Sequence, residues 1–375
     1  MKKFVLSVSA GLESVAKKEI EKQGGKIIEV VDRLITFEGT FEVAAKVNLW
    51  SRVGNKVFLV LAEEENIEDF DDLYGLVNTI DFKKIIPESS PIIVKATSLR
   101  SELHHTPTLQ SITKKSIIDK LLMGESWKDV EENADLPKFE VLTLLLNNKA
   151  RILLNLTWDA LHKRGYRREA WEAPIKESLA AGLVLLSGWR FKEPFYDIFC
   201  GSWTVPIEAA MIAKNIAPGL KRTFSIVDLG FISEEKMAEL KAEARTKKFD
   251  WTYRIFGSDI DEEMIIIAQK NAADAGVADE VSFEKMDYKR ALFRWLEKDQ
   301  QASGCLVTNP PYGLRLEADM EWLYKSIDIL FRKNPELKWW FISNYMEFDA
   351  FAKKDFYKKR KLYNWAEKCY FWKKK

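Results

Sequence analysis

Hydrophobic spacing in the first sixty residues switches between the strand period and the helix period. Residues 4–8 alternate weakly and predict a strand; Leu12, Val15, Ala16 and Ile20 recur at helical spacing over 12–23, and Gly24-Gly25 ends that run as a helix C-cap does. Segments 26–31 and 34–38 predict two more strands, 41–49 a helix and 56–62 a strand. Strand–helix–strand–strand–helix–strand is the order of a ferredoxin-like split βαβ unit. A second mixed unit follows, with a helix at 73–80, a strand at 91–98, a long helix at 108–123 and a hairpin of 139–147 and 151–157 across Asn147-Asn148. Beyond Arg168 strands and helices alternate, the α/β signature. Strands are predicted at 195–199, 254–258, 281–284, 305–308 and 339–343, and helices at 175–186, 205–214 and 261–275. Pro206 sits in the first turn of its helix, where proline is tolerated. Between 214 and 250 lies a charged, partly helical insertion.

Composition narrows the class. At 375 residues, 47% apolar and 31% charged, the chain is globular and long enough for two or three domains. No segment reaches the roughly 18 consecutive apolar residues of a membrane helix. The start of the chain has two lysines but only a short apolar run before Glu13 and Lys17, unlike a secretory signal. Cys200, Cys305 and Cys369 are odd in number and scattered, which argues against a disulfide framework or a cysteine zinc site and for a cytoplasmic protein. Net charge is +1, yet charge is segregated: residues 61–72 hold seven acids and no base, and 353–375 hold ten Lys/Arg against Asp355 and Glu367. With Lys163, Arg164, Arg167 and Arg168 as a second basic cluster, this asymmetry points to a polyanion partner, although each run alone equally describes a solvated face. Arg100 stands near a strand end beside His104 and His105, a loop pair without metal spacing.

Two sites carry chemistry. The first is Asp197-Ile198-Phe199-Cys200-Gly201-Ser202-Trp203-Thr204, a strand leading through a small-residue turn into a helix. Such a turn admits a ligand close to the backbone beside helix N–H groups. Further on, Asp259 and Asp261 stand at a second strand end, where an acid accepts hydrogen bonds from a ribose diol; a capping role suits Asp261 equally. Asp287 follows a third strand, in place to accept from an adenine amine. The second site is Thr308-Asn309-Pro310-Pro311-Tyr312-Gly313, at the end of a predicted strand. The exocyclic amine of a base is a poor nucleophile because its lone pair is delocalised into the ring. The Asn309 amide oxygen and the Pro310 carbonyl can accept its two N–H bonds, the prolines fix that carbonyl, and Tyr312 offers a face for an extruded base.

In combination these motifs resemble a known family. Leu161-His162-Lys163-Arg164-Gly165-Tyr166-Arg167, residues 173–181, Phe199 to Ser202, residues 206–210, Ala217-Pro218-Gly219-Leu220, residues 257–261 and residues 309–313 resemble the THUMP-domain class I RNA methyltransferases that make N2-methylguanosine in 23S ribosomal RNA. The resemblance implies an α/β fold: a Rossmann-like domain over 161–375 that binds S-adenosylmethionine, preceded by an α+β module. That module comprises a ferredoxin-like part (1–62) and a THUMP RNA-binding part (63–160). It further implies cofactor contacts from Asp197, Phe199, Cys200, Gly201, Ser202, Thr204, Asp259, Asp261, Asp287 and Tyr288, and a target-amine clamp from Asn309, Pro310, Pro311 and Tyr312. RNA contacts fall to Arg100, Lys163, Arg164, Arg167 and Arg168, and the partner is ribosomal RNA or a large-subunit precursor. No metal, membrane or obligate protein partner is expected. The same amine clamp also suits an adenine-N6 DNA methyltransferase.

The chain departs from the family at one telling place. Members write Asp-Pro-Phe-Cys-Gly-Ser-Gly-Thr, whereas this chain has Ile198 and Trp203, an indole expected to crowd the cofactor. Trp158, Trp171, Trp339 and Trp365 also replace family glycines, and Asn364-Trp365 falls where Asn-Gly would make a hairpin turn. Thirteen tryptophans against 17 glycines, with glycine ordinarily about 7% of residues, fit the same pattern. The hypothesis is that UGA encodes glycine in the source gene and was read as tryptophan; UGG codons at these positions would eliminate it. If Trp203 is genuine, the expectation is a catalytically silent RNA binder.

Overall fold

The computed structural model describes residues 1–87, 89–122, 133–167, 175–201, 203–299, 303–311, 320–344, 357–365 and 367–374. Among them, two seven-stranded sheets carry the molecule. The N-terminal sheet contains β1 (Lys2–Val8), β2 (Lys26–Val31), β3 (Leu34–Gly39), β4 (Gly54–Glu64), β5 (Ile92–Leu99), β6 (Phe139–Leu146) and β7 (Lys149–Asn155). Their order is β2-β3-β1-β4-β7-β6-β5. With α1 (Glu13–Lys22) and α2 (Phe41–Trp50), the first four strands form the ferredoxin-like unit expected from the spacing. β4 then pairs antiparallel with β7, so the second mixed unit continues the same sheet. The sheet coils enough that Arg151 on β7 reaches Glu29 on β2 at 2.5 Å. Two acids of the 61–72 run act locally, as Asp69 and Asp72 form a capping box at the start of α3 (Phe70–Asn78). α4 (Thr106–Leu122) follows β5.

The C-terminal sheet contains β8 (Phe195–Asp197), β9 (Ile255–Asp259), β10 (Val281–Lys285), β11 (Gly304–Thr308), β12 (Leu337–Ser343), β13 (Tyr357–Asn364) and β14 (Glu367–Lys374), in the order β10-β9-β8-β11-β12-β14-β13. β8 to β12 run parallel, while β14 and β13 run antiparallel at the edge. α5 (Glu177–Ser187), α6 (Thr204–Ala213) and α9 (Glu262–Ala275) match predicted helices, and α7 (Ser225–Asp228) and α8 (Glu234–Thr246) occupy the 214–250 insertion. α10 (Tyr288–Asp299) and α11 (Met320–Lys333) were not foreseen from the spacing. The basic C-terminal run, which alone reads as a solvated tail, instead contributes the β13–β14 hairpin, fastened by buried Leu362, Cys369, Phe371 and Trp372. No helix among the described residues is long and apolar enough to cross a membrane.

The chain steps outward from β8 to β10 and returns on the other side to β11. Adjacent strands β8 and β11 therefore diverge in connection, and the carboxyl edge between them is the crevice where open α/β sheets bind ligands. One hydrophobic core runs from Phe4 to Phe371 and joins both modules; a second packs Tyr196, Trp295, Tyr324, Trp339 and Trp372 on the opposite face of the C-terminal sheet. Gly219 shows how close the join is. Its N–H donates to Leu49 O at 2.9 Å, and a Cβ there would lie 2.8 Å from the Leu49 backbone. Residues 217–220 thus belong to the seam between modules.

Candidate active site

The parallel register brings Asp197, Asp259, Asp287 and Asn309 to one edge, because each ends or follows a strand pointing the same way. Asp197 and Asn309 are tied through Thr308, the first residue of the second motif, whose role the motif alone did not reveal. Thr308 Oγ1 donates to Asp197 Oδ1 at 2.5 Å and accepts from Phe199 N–H at 3.2 Å, so one hydroxyl pins the loop after β8 to the loop after β11. Thr308 stands in the motif, but its bridging role becomes visible only once β8 and β11 are neighbours. Burial pushes the Asp197 carboxyl up to about 7, with the Asp259 charge adding to the rise and the Thr308 and Phe199 hydrogen bonds opposing it.

Gly201 crowns the first loop in the left-handed region, φ +47, and a Cβ there would meet nothing within 4 Å. Open space over a loop crest at a helix N-terminus is a cradle for a ligand that approaches the backbone. Gly201 N–H donates to Asp259 Oδ2 at 2.9 Å, and Asp259 Oδ1 accepts from Asp261 N–H at 3.0 Å. Asp261 itself caps α9, accepting from Glu263 N–H at 2.9 Å, so the capping alternative describes its observed contact. Asp287 is exposed and accepts from Lys289 N–H at 3.0 Å. Tyr288 is buried and packs on Phe199 with ring centroids 4.8 Å apart, closing the crevice floor. Cys200 is buried, and that burial raises its thiol well above the ordinary value, so it is an inert packing group. Thr204 begins α6. Ser202, Tyr312 and Arg168 lie outside the described residues.

Asn309 carries the feature that matters most. Its Oδ1 is buried and has no hydrogen-bond partner among the described residues. A buried amide oxygen left unsatisfied costs about 1–3 kcal/mol, so one held at a ligand crevice calls for a donor from outside. Pro310 is buried and Pro311 exposed beside it.

The basic cluster divides. Lys163 and Arg100 are exposed, paired with Asp159 and Asp32 respectively. Arg164, expected to meet RNA phosphates, is only 2% exposed: its guanidinium pairs with Glu208 of α6 at 3.3 Å and also bonds the Leu161 and Arg52 carbonyls. Arg167 is likewise turned inward, donating to Thr204 Oγ1 at 2.5 Å and to Ile175 O at 3.0 Å. Burial with internal partners withdraws both from a solvent-facing role; they fasten α6, and with it the Gly201 loop, to the rest of the molecule. His104 and His105 bond locally to Glu102 O and Thr108 Oγ1, and no metal-holding cluster occurs among the described residues.

Trp203 does not stand in the crevice. Its indole is wholly buried beneath the loop, edge-on to Phe283 with ring centroids 3.8 Å apart, and packed so hard on Gly257 that a Cβ there would lie 2.3 Å from the ring. Aromatic pairs ordinarily sit about 4.5–7 Å apart, and the Trp203 Nε1 has no partner among the described residues. Trp203, Trp158 and Trp365 have φ of 71°, 61° and 56°. For a bulky side chain that backbone is an outlier, and for glycine it is ordinary. Trp339 lies within β12 and needs no such freedom; Trp171 lies outside the described residues.

Comparison with known proteins follows the same division of the chain. Residues 164–371 match the family model for the RMKL-like methyltransferase domain, and residues 3–58 match the RlmL ferredoxin-like domain. The chain belongs to this methyltransferase family. A candidate RNA methyltransferase, YpsC of Bacillus subtilis (strain 168), is 35% identical over 371 residues, covering 97% of this chain and 94% of that protein. SMU.472, a candidate methyltransferase solved with SAH bound, is 34% identical with a TM-score of 0.88, covering 99% of this chain and 97% of its own. A predicted N6-adenine-specific DNA methylase from Listeria monocytogenes is 32% identical with a TM-score of 0.87, covering 99% and 95%. The methyltransferase therefore shares its architecture with these relatives from end to end, and the Rossmann-like reading of its second sheet stands.

Proposed function

We propose that this methyltransferase uses S-adenosylmethionine to methylate the exocyclic N2 amine of a guanosine in 23S ribosomal RNA, acting in the cytoplasm on free RNA or a large-subunit precursor. The supporting observation is the buried, unpartnered Oδ1 of Asn309, set at the same edge as the open cradle over Gly201. When bound, the cofactor supplies an electrophilic methyl on a sulfonium. Asp197, Gly201 and Ser202 would hold its methionine part, with Phe199, Cys200 and Thr204 shaping that loop, Asp259 or Asp261 its ribose, and Asp287 and Tyr288 its adenine. Asn309 accepts one N–H of the target amine and the Pro310 carbonyl the other, drawing nitrogen lone-pair density out of the ring. Pro311 keeps that carbonyl fixed, and Tyr312 stacks on the base. The Thr308 bridge holds donor loop and acceptor loop at constant separation, which is how orientation lowers the barrier of an in-line displacement. The N-terminal module, with a ferredoxin-like part over 1–62 and a THUMP part over 63–160, presents the RNA. Arg100 on that module and Lys163 at the start of the methyltransferase domain remain as exposed phosphate contacts.

Mapping methylated guanosines in ribosomal RNA by mass spectrometry, with and without the gene, tests this reading; an unchanged map would overturn it. Methylation of duplex DNA but not of a ribosomal RNA transcript would favour the adenine-N6 alternative. One observation favours a third reading, a silent RNA binder: the crowded Trp203 beneath the cradle. Calorimetry decides there, since RNA affinity without cofactor affinity, restored by Trp203→Gly, would identify it.

A further inference from the structure

The β13–β14 hairpin does more than finish the sheet. Antiparallel pairing sets Lys361 opposite Tyr370 and Tyr363 opposite Lys368, so two successive rungs on one face each combine a cation with a phenol. Lys361 Nζ lies 5.2 Å from the Tyr363 ring centroid and Lys368 Nζ 5.3 Å from that of Tyr370. Arg33, from the β2–β3 turn of the other module, lies 5.1 Å from Tyr363. The Tyr363 phenol is pulled below its ordinary pKa by a hydrogen bond to Lys361, then by the charges of Lys361, Arg33 and Lys368. Among the described residues none of these three cations forms an ion pair with a carboxylate, in contrast to Lys56, Lys95 and Arg151 on the N-terminal sheet. Next to Arg33, Asp32 pairs with Arg100, which carries the basic band onto the end of β5.

The ladder's height is set by register. Thr308 is level with Phe341, and Phe341 with Trp372. Tyr370 and Lys361 therefore stand two residues further toward the carboxyl edge, and Lys368 and Tyr363 four, about 13 Å at roughly 3.3 Å per residue. Two inter-strand spacings, about 10 Å, separate β14 from β11. The cation–tyrosine rungs thus rise beside the edge from which Asn309 acts.

We propose that Arg33, Lys361, Tyr363, Lys368 and Tyr370 form a track for a single-stranded RNA segment flanking the target base. This rests on the RNA reading above and adds the surface that guides the strand. Cations without a carboxylate partner meet phosphates; interleaved rings serve only bases that are not already stacked in a duplex, which selects single-stranded RNA over duplex DNA. The hairpin is seated against the N-terminal module by Arg360, which donates to Ser14 Oγ at 3.2 Å, so the track spans the two modules as one surface.

The test uses the full chain, a short fluorescein-labelled single-stranded RNA of mixed sequence, and its duplex DNA counterpart. In Lys361→Gln/Lys368→Gln the RNA Kd should rise about tenfold, and the slope of log affinity against log salt should flatten by about 1.4, at roughly 0.7 for each phosphate no longer neutralised. Tyr363→Leu should raise the Kd about fivefold or more with the slope unchanged. Cofactor affinity by calorimetry should stay at the wild-type value in all variants, which shows that they fold. Unaltered RNA affinity and slope in both variants would overturn the track while leaving the RNA reading intact. Equal losses on RNA and duplex DNA would overturn its single-strand preference. A wild-type protein that binds no RNA at low salt would remove the RNA reading itself, and the track with it.

Discussion

The two seven-stranded sheets treat their polar groups in opposite ways. On the coiled face of the N-terminal sheet, charges answer one another: Lys56 and Lys95 both reach Glu140, and Arg151 reaches Glu29 and Glu63. At the carboxyl edge of the catalytic sheet they do not. Asn309 Oδ1 and Ser258 Oγ are buried without partners among the described residues, and Asp197 is driven up to about 7. A buried amide oxygen without a partner costs stability, so one held at the ligand-binding edge of an open α/β sheet marks where the molecule is built to be completed by something else. The ion pairs of the first sheet close on one another, whereas Asn309 at the edge of the second lacks a donor among the described residues.

The comparison can be broken hardest at the seam. Arg164 and Glu208 form a pair almost fully withdrawn from solvent, with side-chain exposures of 1% and 0%. Arg164→Met leaves the Glu208 carboxylate buried without its ion-pair partner, keeping only the Tyr166 hydroxyl at 3.2 Å and the nearby Arg52 charge, which should cost about 3 kcal/mol in denaturant unfolding. A loss under about 1 kcal/mol would mean that the pair is solvated and that the seam holds by apolar contact alone.

Asn309 sharpens the contrast next. If its free Oδ1 awaits the target amine, Asn309→Ala should slow methyl transfer about 10²–10³-fold, the scale of losing one pre-placed polar group at a reacting centre, with cofactor affinity unchanged. Loss of cofactor affinity in proportion to rate would show that the oxygen is an architectural or cofactor contact.

Asp197 separates the two sheets by pH. Its folded pKa is raised above the ordinary carboxylate range, so between that range and about 7 the folded state holds more protons than the unfolded. This group's contribution to stability therefore falls as pH rises through that window. Cofactor affinity should run the other way, because the cationic ligand favours the ionised carboxylate: it should weaken as pH drops below about 7, by at most tenfold per unit. Asp197→Asn should flatten both trends. Persistence of either in the variant would assign it to another group.

How much of this was legible beforehand depends on whether the signal was local. Periodicity and turn chemistry marked the ferredoxin-like order, the Asn147-Asn148 hairpin and five parallel strands, because each is written within a few residues. Register then brings Asp197 and Asn309 to one edge, which topology alone required once β8 and β11 were neighbours. The fates of Arg164 and Arg167 were not legible. A basic run looks alike facing water or buried against Glu208 and Thr204, and only the tertiary partner distinguishes the two. The hairpin within 353–375 was hidden for a related reason: the unbroken basic run from Lys358 to Lys361 masked the buried Leu362, Cys369 and Phe371 that fasten it.

The smallest effect tests the most unusual feature. Trp365 sits at the hairpin turn with φ 56 and is 54% exposed, with Lys176 Nζ 4.3 Å from its ring centroid and His162 edge-on to it, so glycine there relieves a left-handed backbone but gives up these two contacts. Trp365→Gly should therefore stabilise the protein by about 1 kcal/mol or less, the relief of a left-handed residue with a Cβ offset in part by the lost cation–π contact. Trp203→Gly is the contrasting case. Excising a buried aromatic ordinarily costs about 3–5 kcal/mol, which relief of its φ of 71 would offset only in part. If position 203 is one where glycine belongs, the core closes around Gly257 and Phe283 and the measured cost shrinks toward zero. A gain at 365 together with a near-neutral result at 203 would place both with the glycine codon hypothesis. A full cavity penalty at 203 would show an indole around which this core has settled, and UGG codons in the gene would then be expected.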